Sequence, residues 1–269
     1  MDILNILKQK TSRIDDSDSY TGIQTIIQHI QFAISHMERN QREQQSGGFN
    51  DVIYRTNQAF EGGLKGAYMI FQGISTTDKS PGQIEQFFEE DNRLRPRLIT
   101  LLRNYRKEWR NPSTHEYTIL FDESEAFIAI TSVCAFSCVL IDQISERISF
   151  NKSQSVFKSS NTSEEAEVVN EGQLIDEVAQ HLKNFDVRKI VDGPLPKKLL
   201  ESELTGLISG YLLALIPSIE FINEEKLYQK NLRPDLIVHR GKESLIVELK
   251  STVSQLSITS AREGGGMPP

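Results

Sequence analysis

Residues 93–115 read RLRPRLITLLRNYRKEWRNPSTH. Leu98, Leu101, Leu102 and Tyr105 recur at helical spacing, which marks the buried side of a helix beginning near Arg97. Arg103, Arg106, Lys107 and Arg110 stand at i, i+3, i+4 and i+7, which makes them one basic face. Seven basic residues fall between 93 and 110, opposed within that window by Glu108 alone. Pro96 is expected to kink or split this helix from the one before it. Pro112 is expected to push Asn111 out of the α region, so the helix should stop near Arg110.

Working outward, the flanking segments are helical too. TGIQTIIQHIQFAISHMERNQREQQ repeats apolar residues at helical spacing until Gly47-Gly48 ends it. A second helix is expected over about 51–71, and a third after Pro81-Gly82. Asp122 followed by Glu125 has the form of a capping box for a fourth long helix over about 123–148. Long helices with short connections predict an antiparallel bundle over residues 1–150.

The chain has 269 residues, enough for one large domain or two ordinary ones, each with a real core. A net charge of −7 argues against a generally basic nucleic-acid coat and leaves room for a local basic patch. The N-terminus MDILNILKQK lacks the apolar core of a signal peptide. AFIAITSVCAFSCVLI at 126–141 is short for a membrane span and reads as a buried core helix. Cys134 and Cys138 are the only two cysteines, which excludes a disulfide scaffold and fits a cytoplasmic setting. Their one-turn spacing suits a metal pair or two small core residues, and without further cysteines or a nearby histidine the core role is expected.

Residues 151–172, rich in Ser, Asn, Thr, Glu and Lys, read as a flexible linker. From 173 to 269 we expect a short helix (173–184), the Pro/Gly stretch DGPLPKK and an amphipathic helix LLESELTGLISGYLLAL. Two strands follow, RPDLIVHRG and SLIVELKS, and then a disordered tail TSAREGGGMPP.

The basic face ending at RNPSTH suits a polyanion backbone. A guanidinium at its end can hold a phosphate and offset charge in a phosphorane-like transition state. A histidine nearby can exchange a proton near neutral pH, as attack of a ribose 2′-hydroxyl on the adjacent phosphate requires. The alternative is a solvated basic face, with His115 merely ending a helix.

The element R-N-x-x-x-H at the end of a bundle helix resembles the signature of the HEPN superfamily. YRTNQAFEGGLKGAY (54–68) is similar to the helix preceding that signature, and DESEAFIAITSVCAFSCVLIDQI to the helix following it, so the resemblance covers about residues 20–150. It implies a bundle of four or five helices that dimerises and brings two such motifs together. It also implies a metal-independent ribonuclease of toxin–antitoxin, phage-defence or RNA-processing systems, with RNA as substrate and an antitoxin or defence complex as partner. By that resemblance Arg110 stabilises the phosphate, His115 acts as acid and base, and Asn111 assists. Arg103, Arg106 and Lys107 would contact RNA. Glu61 is either part of this site or a helix-surface acid.

A second constellation lies in RPDLIVHRGKESLIVELK. Asp235 opens one strand, while Glu248 and Lys250 sit two apart on the next and so project from one face. In a hairpin the two carboxylates can converge on a divalent cation, with Lys250 steadying a water or phosphate. The alternative is a hairpin whose charged face is simply solvated. The string P-D, thirteen residues from Asp235 to Glu248, then E-L-K resembles the PD-(D/E)XK nuclease superfamily. That resemblance implies Mg²⁺ held by Asp235 and Glu248, with a glutamate from the upstream helix, Glu201 rather than Glu203. SIEFINEEKLY would be a first strand. Only 19 residues follow Lys250, too few for the helix and strand with which that core continues. The module is therefore expected to be incomplete, completed by a partner chain, or degenerate.

The fold class expected is α+β overall: an all-α antiparallel bundle and a partial α/β restriction-endonuclease-like core. The leading functional expectation is a HEPN-type ribonuclease fused to a nucleic-acid-binding or nuclease module. The alternatives are a Mg²⁺-dependent DNA nuclease on a dimerising bundle, and a non-catalytic assembly protein. No membrane partner is expected.

Overall fold

A computed structural model describes residues 2–14, 21–44, 47–75, 77–91, 93–161, 173–190, 199–221, 234–251 and 256–259. The chain is mostly helical with a small antiparallel sheet, an α+β protein. It divides into two compact units, Met1–Ile144 and Ser145–Pro269.

The first unit is built from α1 (Ile3–Thr11), α2 (Thr21–Glu43), α3 (Phe49–Gln72), α4 (Pro81–Asp91), α5 (Pro96–Tyr105), a π-helical turn (Arg106–Arg110), α6 (Asn111–His115) and the start of α7 (Glu123–Asn161). Helices α2 and α3 approach closely because α3 carries glycine where they touch. A Cβ on Gly63 would stand 3.2 Å from the side chains of both Ile26 and Leu140, and one on Gly66 3.0 Å from Ile23. The core centres on Phe60, whose ring stacks on Tyr105 at 4.6 Å and meets Phe136 at 4.9 Å, which joins α3, α5 and α7. Gly48 opens α3 against the buried Asn40 side chain, which occupies the space any Cβ would need.

Several local expectations hold. Pro96 sits in the first turn of α5 and separates it from α4. The capping box at the head of α7 is complete: the Asp122 amide donates to Glu125 Oε2 and the Glu125 amide to Asp122 Oδ1, both at 2.8 Å.

Two expectations need correction. The helix does not stop near Arg110. Asn111 keeps helical angles, φ −68° and ψ −48°, and the chain stays helical through His115. The cause is the π turn. The Asn111 amide donates to the Arg106 carbonyl, and this offset delivers Pro112 to the first turn of α6, where its missing N–H leaves no ladder bond unmade. Likewise α7 runs past 148 to Asn161, so residues 151–161 are helix rather than linker. Ser153 is fully buried and Phe157 packs edge-on to Tyr211 at 4.6 Å, contacts that a polar composition conceals. Residues 162–172 lie outside the described residues.

By length and composition α7 is apolar enough to cross a membrane, yet half of that apolar window is buried inside the fold. Ala126, Ala129, Ile130, Val133, Cys134, Phe136, Leu140 and Ile141 form its buried side.

The second unit holds the rest of α7, α8 (Leu174–Lys183), a 3₁₀ turn (Val187–Lys189), α9 (Glu201–Leu215), β1 (Glu220–Phe221), β2 (Leu236–Arg240), β3 (Glu243–Ser251) and β4 (Leu256–Thr259). The strands pair antiparallel in the order β1-β2-β3-β4. Leu174, Val178 and Leu182 of α8 and Leu204, Ile208, Tyr211 and Leu212 of α9 form one core with Leu236, Val238, Leu245 and Val247 of the sheet. Gly206 and Gly210 let α9 lie directly on the carbonyls of Glu146 and Phe150 in α7. Gly241, at φ +59°, makes the β2–β3 turn. The stretch DGPLPKK, most of SIEFINEEKLY and the tail after Thr259 lie outside the described residues.

Candidate active site

The RNPSTH element is fastened to one stripe of α3. Asn50, Tyr54, Asn57 and Glu61 fall at i, i+4, i+7 and i+11, a single face of that helix. Asn57 is buried and bridges two elements: its Nδ2 donates to Ser113 Oγ at 2.7 Å, and its Oδ1 accepts from the Tyr105 hydroxyl at 3.1 Å. Asn50 clamps the chain beyond the element, donating to the Ile119 carbonyl at 3.2 Å and accepting from the Phe121 amide at 3.0 Å. Ser113 and Thr114 both donate their hydroxyls to the Arg110 carbonyl, at 3.0 and 2.8 Å.

Arg110 is oriented by two acceptors. Its Nε donates to Glu61 Oε1 at 3.1 Å, and its Nη1 to Asn111 Oδ1 at the same distance. The side chain is 21% exposed, so the guanidinium is held in place and still reached by solvent. Glu61 thus belongs to this cluster and is not a free surface acid. His115 ends α6 and is exposed, with no hydrogen bond or ion pair among the described residues. Five residues of regular helix put it about 7.5 Å along the axis from Arg110 and about 140° around it.

The basic face is different from its sequence pattern. Arg103 Nε meets Glu89 at 3.2 Å, and Arg106 bridges Glu85 at 2.9 Å and Glu89 at 3.3 Å. Lys107, 82% exposed, lies 3.2 Å from Glu108. Three of the four basic residues therefore face carboxylates that α3 and α4 supply from far away in sequence. Glu85 is itself buried, and burial pushes its carboxyl above the usual range despite the opposing pull of Arg106. Tyr105 is likewise raised by complete burial. Burial, with Cys138 nearby, pushes the Cys134 thiol up to about 12, and burial raises the half-buried Cys138 too, which suits packing rather than nucleophilic roles.

A cavity of about 180 Å³ adjoins the element, lined by Asn50, Tyr54, Asn57, Ser113, Thr114, Glu116, Tyr117, Ile119 and Phe121. Neither Arg110 nor His115 lines it.

Comparison with protein-family models, curated proteins and solved structures finds no match.

In the second unit, Leu236 pairs with Val247, and continuing the ladder by one residue sets Asp235 across from Glu248. Residues directly opposite share a sheet face with Cβ atoms about 5 Å apart. Asp235 Oδ2 accepts from the Leu249 amide. Glu201 starts α9 and is exposed, while Glu203 reaches back to accept from the Leu200 amide at 2.7 Å. Lys250 pairs in register with Ser257, and its side chain lies outside the described residues. Among the described residues no group of three or more His, Cys, Asp or Glu side chains gathers as metal ligands would.

The residues that sequence reasoning passed over are Asn50, Asn57, Tyr54 and Ser113. For the three on α3 the available signal was the polar spacing i, i+4, i+7, i+11 that Asn50, Tyr54 and Asn57 share with Glu61, on a helix that also carries Asp51, Arg55, Gln58 and Lys65.

Proposed function

We propose that the chain is a metal-independent endoribonuclease of the HEPN type, with Arg110 and His115 as catalytic residues. The observation that carries this reading is the state of Arg110. Its Nε and Nη1 are anchored, it is part-buried, and Nη2, without a partner among the described residues, is placed to grip a phosphate oxygen five positions from an exposed imidazole. The π turn that ends on Arg110 is a feature that recurs at functional sites.

In the reaction, the ribose 2′-oxygen attacks the adjacent phosphorus and loses its proton to a histidine. The P–O5′ bond breaks, and a proton passes to the departing 5′-oxygen. The products carry a 2′,3′-cyclic phosphate and a 5′-hydroxyl. Arg110 neutralises the charge gathering on the non-bridging oxygens. Glu61 and Asn111 fix the guanidinium so that little reorganisation is needed at that moment.

The wide angle between Arg110 and His115 favours a homodimer, in which the arginine of one copy and the histidine of the other address the same phosphate. Exposed apolar residues beyond the element, Leu120, Phe127 and Ile128, suit such a contact. The resemblance adds a defence or toxin role and an antitoxin or defence-complex partner, and a chain with only two cysteines fits a cytoplasmic setting. Arg103, Arg106 and Lys107 would contact RNA only where RNA competes with Glu85, Glu89 and Glu108 for them.

The test is incubation with structured and single-stranded RNA in EDTA. Wild type cleaves, and His115→Ala lowers the rate about 10²- to 10⁴-fold. A wild-type rate unchanged by His115→Ala or Arg110→Ala refutes the assignment.

The position of Asp235 across from Glu248 favours a second reading for the C-terminal unit, as a restriction-endonuclease-like module. Two hard carboxylates fit Mg²⁺, a cation that keeps several waters and binds jointly with phosphate. When bound, the ion would polarise a phosphate and its attacking water. Asp235 and Glu248 would hold it, Glu201 would approach from α9, and Lys250 would steady the phosphate. Mg²⁺-dependent DNA cleavage that is lost in Glu248→Ala supports this. Intact DNA under all conditions removes it.

A further inference from the structure

We propose that the cavity beside the RNPSTH element is a base-binding subsite that selects guanine in the RNA. This inference rests on the ribonuclease reading and names the specificity of that site.

The size comes first. At about 180 Å³ the cavity is well below the roughly 300 Å³ at which sites for drug-sized ligands begin. It suits one flat ring system, with the sugar and phosphate left outside. Its lining joins Asn50, Tyr54 and Asn57 of α3 to Ser113, Thr114 and Glu116, so a base held there is adjacent to the chain that carries Arg110 and His115.

The aromatic content comes next. Tyr54 is 56% exposed and Tyr117 is 99% exposed, and both line the cavity. The Arg55 guanidinium lies 5.7 Å from the Tyr54 ring centre and 5.2 Å from that of Phe32, itself half exposed. Aromatic faces with an arginine among them form the kind of platform on which unpaired bases stack.

Hydrogen-bond accounting then selects the base. Both ends of the Asn50 amide are engaged, and each end of Asn57 already has a partner. The hydroxyls of Ser113 and Thr114 donate to the Arg110 carbonyl. Among the described residues the lining groups left over are the Tyr54 and Tyr117 hydroxyls and the Glu116 carboxylate, which is exposed, carries no hydrogen bond or ion pair there, and is the charged side chain of the lining. A carboxylate offers two neighbouring acceptors and no donor. Guanine presents two parallel donors, N1–H and N2–H, on its Watson–Crick edge. Adenine and cytosine present a single amino group beside an acceptor, and uracil presents one N–H between two carbonyls. Paired donors on a carboxylate make the stronger, geometrically specific contact.

The experiment titrates the four ribonucleoside 5′-monophosphates separately into the full chain by calorimetry, with RNA cleavage in EDTA scored in parallel. The expected result is GMP binding at least tenfold tighter than UMP. In Glu116→Gln that preference falls to threefold or less, whereas Tyr54→Ala weakens all four nucleotides together by fivefold or more. Both positions are exposed, and circular dichroism verifies that the variants fold. Equal affinities for the four nucleotides, no binding, or a preference untouched by Glu116→Gln overturns the subsite. So does a change of solution mass in either variant without nucleotide binding, which would make the face a protein interface. Guanine binding without His115-dependent cleavage keeps the subsite and removes the ribonuclease assignment. Cleavage that depends on His115 without guanine binding does the reverse.

Discussion

Removal of the Asn57 side chain tests how the RNPSTH element is held. Asn57→Ala deletes the donor to Ser113 Oγ and the acceptor of the Tyr105 hydroxyl, at 2.7 and 3.1 Å. The first loss costs about 0.5–1.5 kcal/mol, the usual net worth of a protein hydrogen bond. The second is heavier, because Tyr105 is only 2% exposed and its hydroxyl loses its Asn57 acceptor in the interior, with Thr56 the polar neighbour that remains, at about 1–3 kcal/mol. Together they predict a loss of about 2–4 kcal/mol. With a urea dependence of about 2 kcal/mol per molar, the unfolding midpoint drops by about 1–2 M. Trp109, the only tryptophan, sits in the π turn, so its fluorescence reports on the first unit alone. Tyr105→Phe removes that hydroxyl. The double variant should therefore be less destabilised than the two single changes added together, by about 1–2 kcal/mol of coupling. A single-variant loss below about 1 kcal/mol, or additivity within about 0.5 kcal/mol, refutes the proposed anchor.

Three further outcomes follow from packing and titration. Gly210→Ala puts a Cβ 3.0 Å from Ser153 Cβ and 3.1 Å from the Phe150 carbonyl carbon, with the carbonyl oxygen closer still. The overpacking predicts a loss of about 1–3 kcal/mol or more, read as a lower melting temperature of the second unit, and an unchanged melt contradicts that contact. Burial raises the Glu85 carboxyl above its ordinary value of 4.5, so the folded chain keeps a proton that the unfolded chain releases. Its contribution is therefore present below about pH 4.5 and is lost as pH rises through the raised value. Glu85→Gln should flatten that decline in melts run from pH 4 to 7, and an identical slope in both proteins contradicts it. Cys134, with its thiol pushed up to about 12, should resist alkylation at pH 8 until the chain unfolds, as read by mass spectrometry.

Much of the fold was legible because local rules governed it. The Asp122–Glu125 box, Pro96 and the two-strand hairpin each act within a few residues, and each was found where expected. The errors arose where distant or unusual geometry overrode the local rule. The rule that proline excludes the α region before it was defeated by a π turn, which shifted the hydrogen-bond register just ahead of Pro112. The polar composition of 151–161 hid a helix held by Ser153 and Phe157 against α9. The basic stripe was countable, but the carboxylates of Glu61, Glu85 and Glu89 that meet it come from other helices. Arg110, Asn111 and His115 could be named from their spacing. The asparagines that hold the element could not, because each acts through a residue about 56 to 71 positions away.

The central claim concerns a guanidinium and an imidazole acting on one ribose phosphate, and the substrate's own hydroxyl tests it most directly. An oligoribonucleotide cut by the wild-type chain in EDTA is resynthesised with a single 2′-deoxy sugar on the 5′ side of the cleaved bond. The account predicts that cleavage at that bond disappears while the all-ribose control yields a 2′,3′-cyclic phosphate and a 5′-hydroxyl. Undiminished cutting of the deoxy-substituted strand, or products with a 5′-phosphate, would contradict it.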